Sequence, residues 1–258
     1  MKRYLNEIVK RKDLLLYLVK SGLKAENRNS YLGYFWWLLD PLLNAVVYYF
    51  LIAVIMGHGG ENYGLYLITG LVTWRWTSSI VGSSPKAIIS YSSIINQVYL
   101  PKAIFPMTRT VSQLVNFLFG LVVIGLFLVY FKVIPGWGIF YLPIVVFIQF
   151  LLMLSISLLL AYICVFIRDI DNIMSHITRL WFYATPVIWE RDRLPDSYQW
   201  VTDINPMAYI LQAYRDILLY RVQPNFLGLT VIGVISLLGC YVLMKYYSMN
   251  EHKIVKAL

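Results

Sequence analysis

Residues Tyr141–Ile167 read YLPIVVFIQFLLMLSISLLLAYICVFI, without one charged side chain. A helix needs about 20 mainly apolar residues to cross roughly 30 Å of hydrocarbon, and this run meets that need. Five further segments qualify on either side of it: Gly33–Met56, Tyr63–Ser83 and Met107–Phe131 before it, Asp171–Trp189 and Phe226–Tyr247 after it. Asp171–Trp189 has the weakest signal because it holds His176 and Arg179. The expected fold class is therefore all-α, a polytopic membrane protein with six transmembrane helices.

The composition agrees. The chain is 59% hydrophobic and 14% charged, with a mean hydropathy of +0.65. Soluble domains carry about 25% charged and 45–50% apolar residues, so an ordinary soluble enzyme and a disordered chain are both excluded. The net charge of +9 points first to cytoplasmic loops and anionic headgroups, and no nucleic-acid partner is expected. Six spans place both termini on one side. The segments then assigned inside hold 15 of the 22 Lys and Arg against 5 outside, which puts both termini in the cytoplasm. Cys164 and Cys240 sit in apolar runs and suggest neither a disulfide framework nor a zinc site. Met1–Arg28 lacks the apolar stretch and cleavage site of a signal peptide and is expected to be retained.

Outside the spans, residues 5–23 place Leu5, Ile8, Val9, Leu15, Leu16, Val19 and Leu23 mostly three or four apart among Lys and Arg. That is an amphipathic helix at the cytoplasmic interface, either a basic anchor or an element that also touches a partner. Two connections exceed simple turns. Ser84–Pro106, bracketed by Pro85, Pro101 and Pro106, reads as a short helix across the inner surface. Glu190–Asn225 contains Trp200, the Asn205-Pro206 helix start and apolar residues at helical spacing, which describes an outer amphipathic helix dipping back into the bilayer.

Chemistry-bearing motifs are sparse. There is no G-x-x-x-x-G-K-[ST], so ATP is not bound through a P-loop here. The three His are scattered and give no metal cluster. Asp40 is the main acid deep in a span, which disfavours a proton relay of paired carboxylates.

Four spans do carry a polar and aromatic face. Tyr34, Trp37, Pro41, Asn44 and Tyr48 follow one another at spacings of 3, 4, 3 and 4, and Asp40 lies beside Asn44. Trp74, Arg75, Ser78, Ser79 and Gly82 belong to the second span. Ser112, Asn116 and Gly120 step by four in the third, and Asn172, His176, Arg179, Tyr183 and Pro186 recur in the fifth. One such face alone fits helix packing. Four together, rich in rings, point to a lined path. Tyr and Trp offer a flat apolar face with one polar handle, which suits sugar rings. Arg75 and Arg179 either meet a phosphate, pair with an acid such as Asp40, or snorkel to headgroups.

Tyr31–Leu42 (YLGYFWWLLDPL) resembles the first-span motif of polysaccharide-export ABC permeases, and Leu67–Trp74 (LITGLVTW) is similar to the start of their second span. Asn96-Gln97-Val98-Tyr99-Leu100-Pro101-Lys102, Phe166-Ile167-Arg168-Asp169-Ile170, Tyr183-Ala184-Thr185-Pro186-Val187-Ile188, Asn205-Pro206 and Tyr214-Arg215 continue the family's order. The resemblance covers nearly the whole chain from about residue 28. Arg75 departs from it, since the family more often has an apolar or aromatic residue there.

The resemblance implies a single ABC-2 type transmembrane domain over 1–258: an interface helix in 1–30, spans one to five in 31–189, outer gate helices in 190–225, span six in 226–247 and a cytoplasmic tail in 248–258. It implies a permease in the bacterial cytoplasmic (inner) membrane that moves lipid-linked polysaccharide, with wall teichoic acid slightly preferred to O-antigen. Its implied partners are a second copy of itself and two ATP-binding cassette subunits, and ATP and Mg belong to those subunits, so no cofactor is expected in this chain. Path residues would be Tyr34, Trp37, Asn44, Tyr48, Trp74, Arg75, Ser78, Asn116 and Tyr183. Contacts to the ATPases would come from Lys86, Tyr91, Ile95, Tyr99, Arg168 and Asp169, and the outer gate from Trp200, Asn205, Pro206, Tyr214 and Arg215. An exporter of a drug or small lipid, or a membrane-bound glycan-lipid transferase, are the alternatives.

Overall fold

The computed structural model describes residues 2–28, 30–55, 57, 62–95, 97 and 99–258. The expected end of the first span at Met56, the scattered His58, and Asn96 and Val98 of the inner loop lie outside these. The described residues are helical, with no strand. In order they form α1 (Lys2–Lys10), α2 (Lys12–Asn27), α3 (Trp36–Tyr49), α4 (Tyr63–Ser83), α5 (Ser92–Ile95), α6 (Ile104–Tyr130), α7 (Leu142–Phe166), α8 (Ile170–Ala184), α9 (Trp200–Asp203), α10 (Pro206–Arg215) and α11 (Phe226–Ala257).

Four helical stretches among the described residues are long and apolar enough to cross a membrane: Gly33–Ile55, Ile104–Tyr130, Trp137–Phe166 and Phe226–Ala257. Their outer faces carry bare apolar side chains, among them Val46, Val47 and Val54 on the first, Val129 on the second and Leu238 on the last, which suit lipid and not water. The first is not one regular helix. A 3-10 turn at Gly33–Phe35 leads into α3, and Phe50–Ile55 continue as a π-helix.

The other two expected spans look different for separate reasons. Helix α4 is 21 residues long, and nearly all of it is buried by its neighbours. A helix enclosed by protein need not be apolar all round. It runs antiparallel to α6, since Gly64 meets Phe131, Val72 meets Gly120 and Trp76 stacks on Phe117. It therefore rises through the same depth as α6. Helix α8 stops at Ala184, five residues before the expected end at Trp189. Thr185 precedes Pro186 and takes extended backbone angles (φ −102°, ψ 136°), as the proline ring requires of its predecessor. At 15 residues α8 is about 22 Å long. Helices α7 and α11 run parallel: Cys240 Sγ contacts Leu151 O, and seven residues on in both, Tyr247 Oη donates to Leu158 O at 2.9 Å. Helices α8, α9 and α10 lie between them in the chain.

The N-terminal region is two helices broken at Arg11, not one. Tyr4, Ile8, Leu18 and Val19 are its buried residues, while Leu5, Val9 and Leu16 of the expected stripe stay exposed. Ile8 and Val19 of the expected stripe thus pack on the protein, and the rest of the stripe stays partly or wholly open on the surface. The buried residues fall into two cores. One joins the N-terminal helices, residues 87–105, the ends of α7 and the last turns of α11. The other joins α4, α10 and the middle of α6 and α7. Residues from the N-terminal helices, the 84–109 segment and the C-terminal turns gather at the first core, and Val187 and Met207–Leu218 contribute to the second.

The second core is tied together by Arg215, which is fully buried. Its Nη1 donates to Pro186 O at 2.7 Å, and Nη2 to Val187 O at 2.8 Å and to Tyr66 O at 3.3 Å. The guanidinium also lies over the Tyr66 ring, 3.3 Å from its centroid. Tyr66 Oη donates to Trp189 O at 2.6 Å, and Tyr63 Oη to Ile188 O at 2.8 Å. The segment after α8 is so pinned onto α4. Gly70 permits the approach: a Cβ there would lie 2.6 Å from Val187 O and 2.7 Å from Arg215 Nη2. Gly70→Ala is accordingly expected to destabilise the protein by about 1–3 kcal/mol through overpacking. Gly82→Ala, on the same helix with nothing within 4 Å, should be neutral or slightly stabilising. Thermal unfolding of the two detergent-solubilised variants, followed by tryptophan fluorescence, checks this; equal midpoints would show that the close approach carries no weight.

Candidate functional site

A cavity of about 430 Å3 opens between α3, α4 and α8. Asn44 and Tyr48 reach it from α3, Trp74, Arg75 and Ser78 from α4, and Tyr183 from α8. Six of the nine residues expected along a path thus share one space, although they come from three separate helices. Helical spacing aligned each set on its own face, and packing turned those faces toward one another.

The rings form a continuous wall. Phe182 lies 5.9 Å from Tyr48, 5.7 Å from Trp74 and 5.3 Å from Tyr183, and Trp74 makes an edge contact with Trp181 at 5.5 Å. Trp74 and Phe182 form the buried base of this wall, while Tyr183 is exposed and Tyr48 half-buried. Two cations stand in this wall. Arg75 Nη2 pairs with Asp40 Oδ2 at 2.6 Å, both side chains 38% exposed. This pairing satisfies the charge that departs from the family pattern, and at this exposure it is worth about 1 kcal/mol or less. Arg179 also lines the cavity, with no carboxylate partner among the described residues. Ser78 and Thr178 donate back to their own helices, to Arg75 O and Met174 O.

Trp37 and Asn116 lie beside this space in a far smaller cleft, and Tyr34 stacks edge-on against Trp37 at 4.8 Å. Gly120 is a close packing point: a Cβ there would come within 2.6 Å of Val72, and Asn116 donates to Gln113 on its own helix. Asn172 and His176 of the fifth-span stripe are exposed and do not reach the cavity.

At the outer end, Asn205 is a buried helix cap. Its Oδ1 accepts from Met207 N at 3.1 Å and from Trp181 Nε1 at 3.0 Å, and its Nδ2 donates to Thr185 Oγ1 at 2.9 Å. With Pro206 at the first helical position, this fixes α10 against the end of α8. Tyr214 Oη donates to Gln149 Oε1 at 2.9 Å, and Gln149 Nε2 reaches Thr77 Oγ1 and Thr73 O. Asn205, Tyr214 and Arg215 are therefore anchors of the outer helix, while Trp200 is exposed. Gln149, Tyr63 and Tyr66 were not singled out from the sequence. Gln149 had a signal, as the one amide within the uncharged Tyr141–Ile167 run; the two tyrosines had none beyond their number.

At the inner end, Lys86 forms an ion pair with Asp171, and that hydrogen bond raises the lysine above its usual range. Arg168 lines the same cleft of about 340 Å3. Tyr91 stacks on Phe105 at 4.9 Å, and Ile95 is buried. Tyr99 Oη donates to Glu251 Oε2 at 2.8 Å, and Glu251 Oε1 accepts from Lys102 N at 3.0 Å. The Glu251 bond, with some burial, pushes the Tyr99 phenol up to about 12. Glu251 was also missed, because nothing in its local sequence says that the last turns of α11 meet residues 99–102. Asp169 precedes α8 and is exposed.

Residues 13–219 match the model of the ABC-2 type transporter family. The chain is 31% identical over 238 residues to the O-antigen export system permease protein RfbA of Myxococcus xanthus, covering 92% of each protein. It is also 31% identical over 209 residues to a protein of the same name from Klebsiella pneumoniae, covering 80% of each. The apolar helices, the buried α4 and the match over most of its length together establish that this chain belongs to the ABC-2 type transporter family, as a multi-pass membrane permease.

Proposed function

We propose that this chain is the membrane subunit of an ATP-driven exporter of lipid-linked polysaccharide, working as two copies with two separate ATPase subunits in the bacterial cytoplasmic membrane. The observation that carries the reading is the aromatic and cationic cavity between α3, α4 and α8. Rings and hydroxyls there suit sugars, and Arg179 suits an anionic linkage. The relatives' names, O-antigen export system permease, support the same substrate class and favour O-antigen over the teichoic acid preferred from the first-span motif.

The chain crosses six times in this reading. Helix α4 runs alongside α6, and α8 with residues 185–189 returns the chain between the parallel helices α7 and α11. The exposed faces of α3 and α8 would meet the second copy, closing two cavities into one path. Lys86, Arg168 and Asp169, near the N-terminal helices, would receive the ATPases. The clamp of Tyr99 and Lys102 on Glu251 would carry a push from the inner loop into α11. The outer gate would be α9 and α10, held shut against α8 by Asn205 and against α4 by Arg215.

Cells lacking the neighbouring P-loop ATPase should display no surface glycan while still inserting this chain; glycan display without any ATPase would overturn the reading. A second expectation concerns the ring wall. Tyr183→Ala should lower glycan export at least fivefold with unchanged recovery of the complex, and Tyr183→Phe should keep most of it. If Ala and Phe lose complex and export in parallel, the rings only hold helices together.

A further inference from the structure

A second cavity, of about 540 Å3, lies at the outer end and is not used by the path described above. Its wall is built from α4, the segment after α8, α9, α10 and the turn that follows α10. It lies within the range of about 300–1,000 Å3 in which proteins hold small ligands, so a short oligosaccharide segment fits.

Its back is rigid. Tyr66 is 5% exposed and held by its bond to Trp189 O, and Thr202 is 3% exposed with its hydroxyl donating to Gln199 O. Its front is unspent. Among the described residues, the hydroxyls of Tyr209 and Tyr220 and the carboxylate of Asp192 have no hydrogen bond. Asp216 accepts from Gln212 through Oδ1 alone, at 2.8 Å, leaving Oδ2 and Gln212 Oε1 as acceptors. A sugar presents O–H donors at its edges and C–H groups on its face, and these acceptors and tyrosine rings complement both. Glu190 is paired with Arg193 at 3.3 Å and Arg191 with Asp203 at 2.5 Å, which leaves Asp192 and Asp216 without an ion pair among the described residues. A phosphodiester would meet like charge here.

We propose that this cleft is a second glycan site, which binds a short uncharged stretch of the sugar chain on the outer side and rejects phosphodiester-rich polymer. The inference rests on the export reading and adds to it the chemistry of the emerging chain. A site of this kind would hold the polymer between strokes and oppose its backsliding.

The test uses the full complex in cells that make the glycan. A photoreactive benzoylphenylalanine is placed at Tyr220, at Asp192, and at Leu238, an exposed apolar position on α11. Illumination should give at least tenfold more glycan-bearing adduct at 220 and 192 than at 238. Surface glycan display is scored in the same cells with and without the chain. Display that depends on the chain, with adduct at 220 and 192 no greater than at 238, overturns the second site and leaves the export reading standing. Display that does not depend on the chain overturns both. In nanodiscs, glycan released from the same cells by mild acid should bind, and the double substitution Asp192→Ala with Gln212→Ala should weaken its Kd at least fivefold, while poly(glycerol phosphate) should not bind. Equal binding of the two polymers, or a phosphodiester in every repeat of the cells' own glycan, overturns the proposed selectivity.

Discussion

A buried guanidinium without a carboxylate is costly unless its donors are met. The two terminal nitrogens of Arg215 are met by carbonyls alone, those of Pro186, Val187 and Tyr66, and the group lies on the Tyr66 ring, while Nε has no partner among the described residues. The carbonyls of Pro186 and Val187 are free because the helix before them has ended. Pro186 cannot continue α8 and pushes Thr185 into an extended conformation, so the peptide groups of 186–189 have no helical partners. Arg215, Tyr63 and Tyr66 supply the missing donors. One proline thus shortens α8, exposes four consecutive carbonyls and creates the receptor for the arginine of α10.

The consequences spread from this clamp. The segment after α8 lies against α4, and α10 is fixed by Arg215 at one end and by the Asn205 cap at the other. The aromatic wall of the inner cavity hangs on α8, whose last turn is set by the same proline. The outer cleft shares Tyr66 and Pro186 with the clamp. Two spaces of different chemistry therefore sit on either side of one joint: cations and rings between the spans, carboxylates and tyrosines outside. A motion of α10 would change both, a coupling well suited to passing a polymer in steps.

Much of the site was legible because helical periodicity is a local property. Tyr34 through Tyr48 share a face wherever α3 packs, and so do Arg75 and Ser78 on α4. At Gly120 the small face of the third span is a close seam against Val72; periodicity cannot tell a lined space from a tight contact. The roles of Asn205, Tyr214 and Arg215 as anchors were hidden, since a polar residue in an outer loop reads the same whether it lines a gate or is fully buried.

The sequence by itself determined the membrane class and the polar face of each helix, for these depend on composition and on the 3.6-residue turn. Tertiary structure alone decided which faces meet. It set Arg75 against Asp40, joined Glu251 to residues 99–102 across the chain, and closed α4 inside the bundle so that it need not be apolar. The physical reason is that a buried charge or amide selects its partner by distance and desolvation, and residues far apart in sequence come within hydrogen-bonding reach only once the helices have packed.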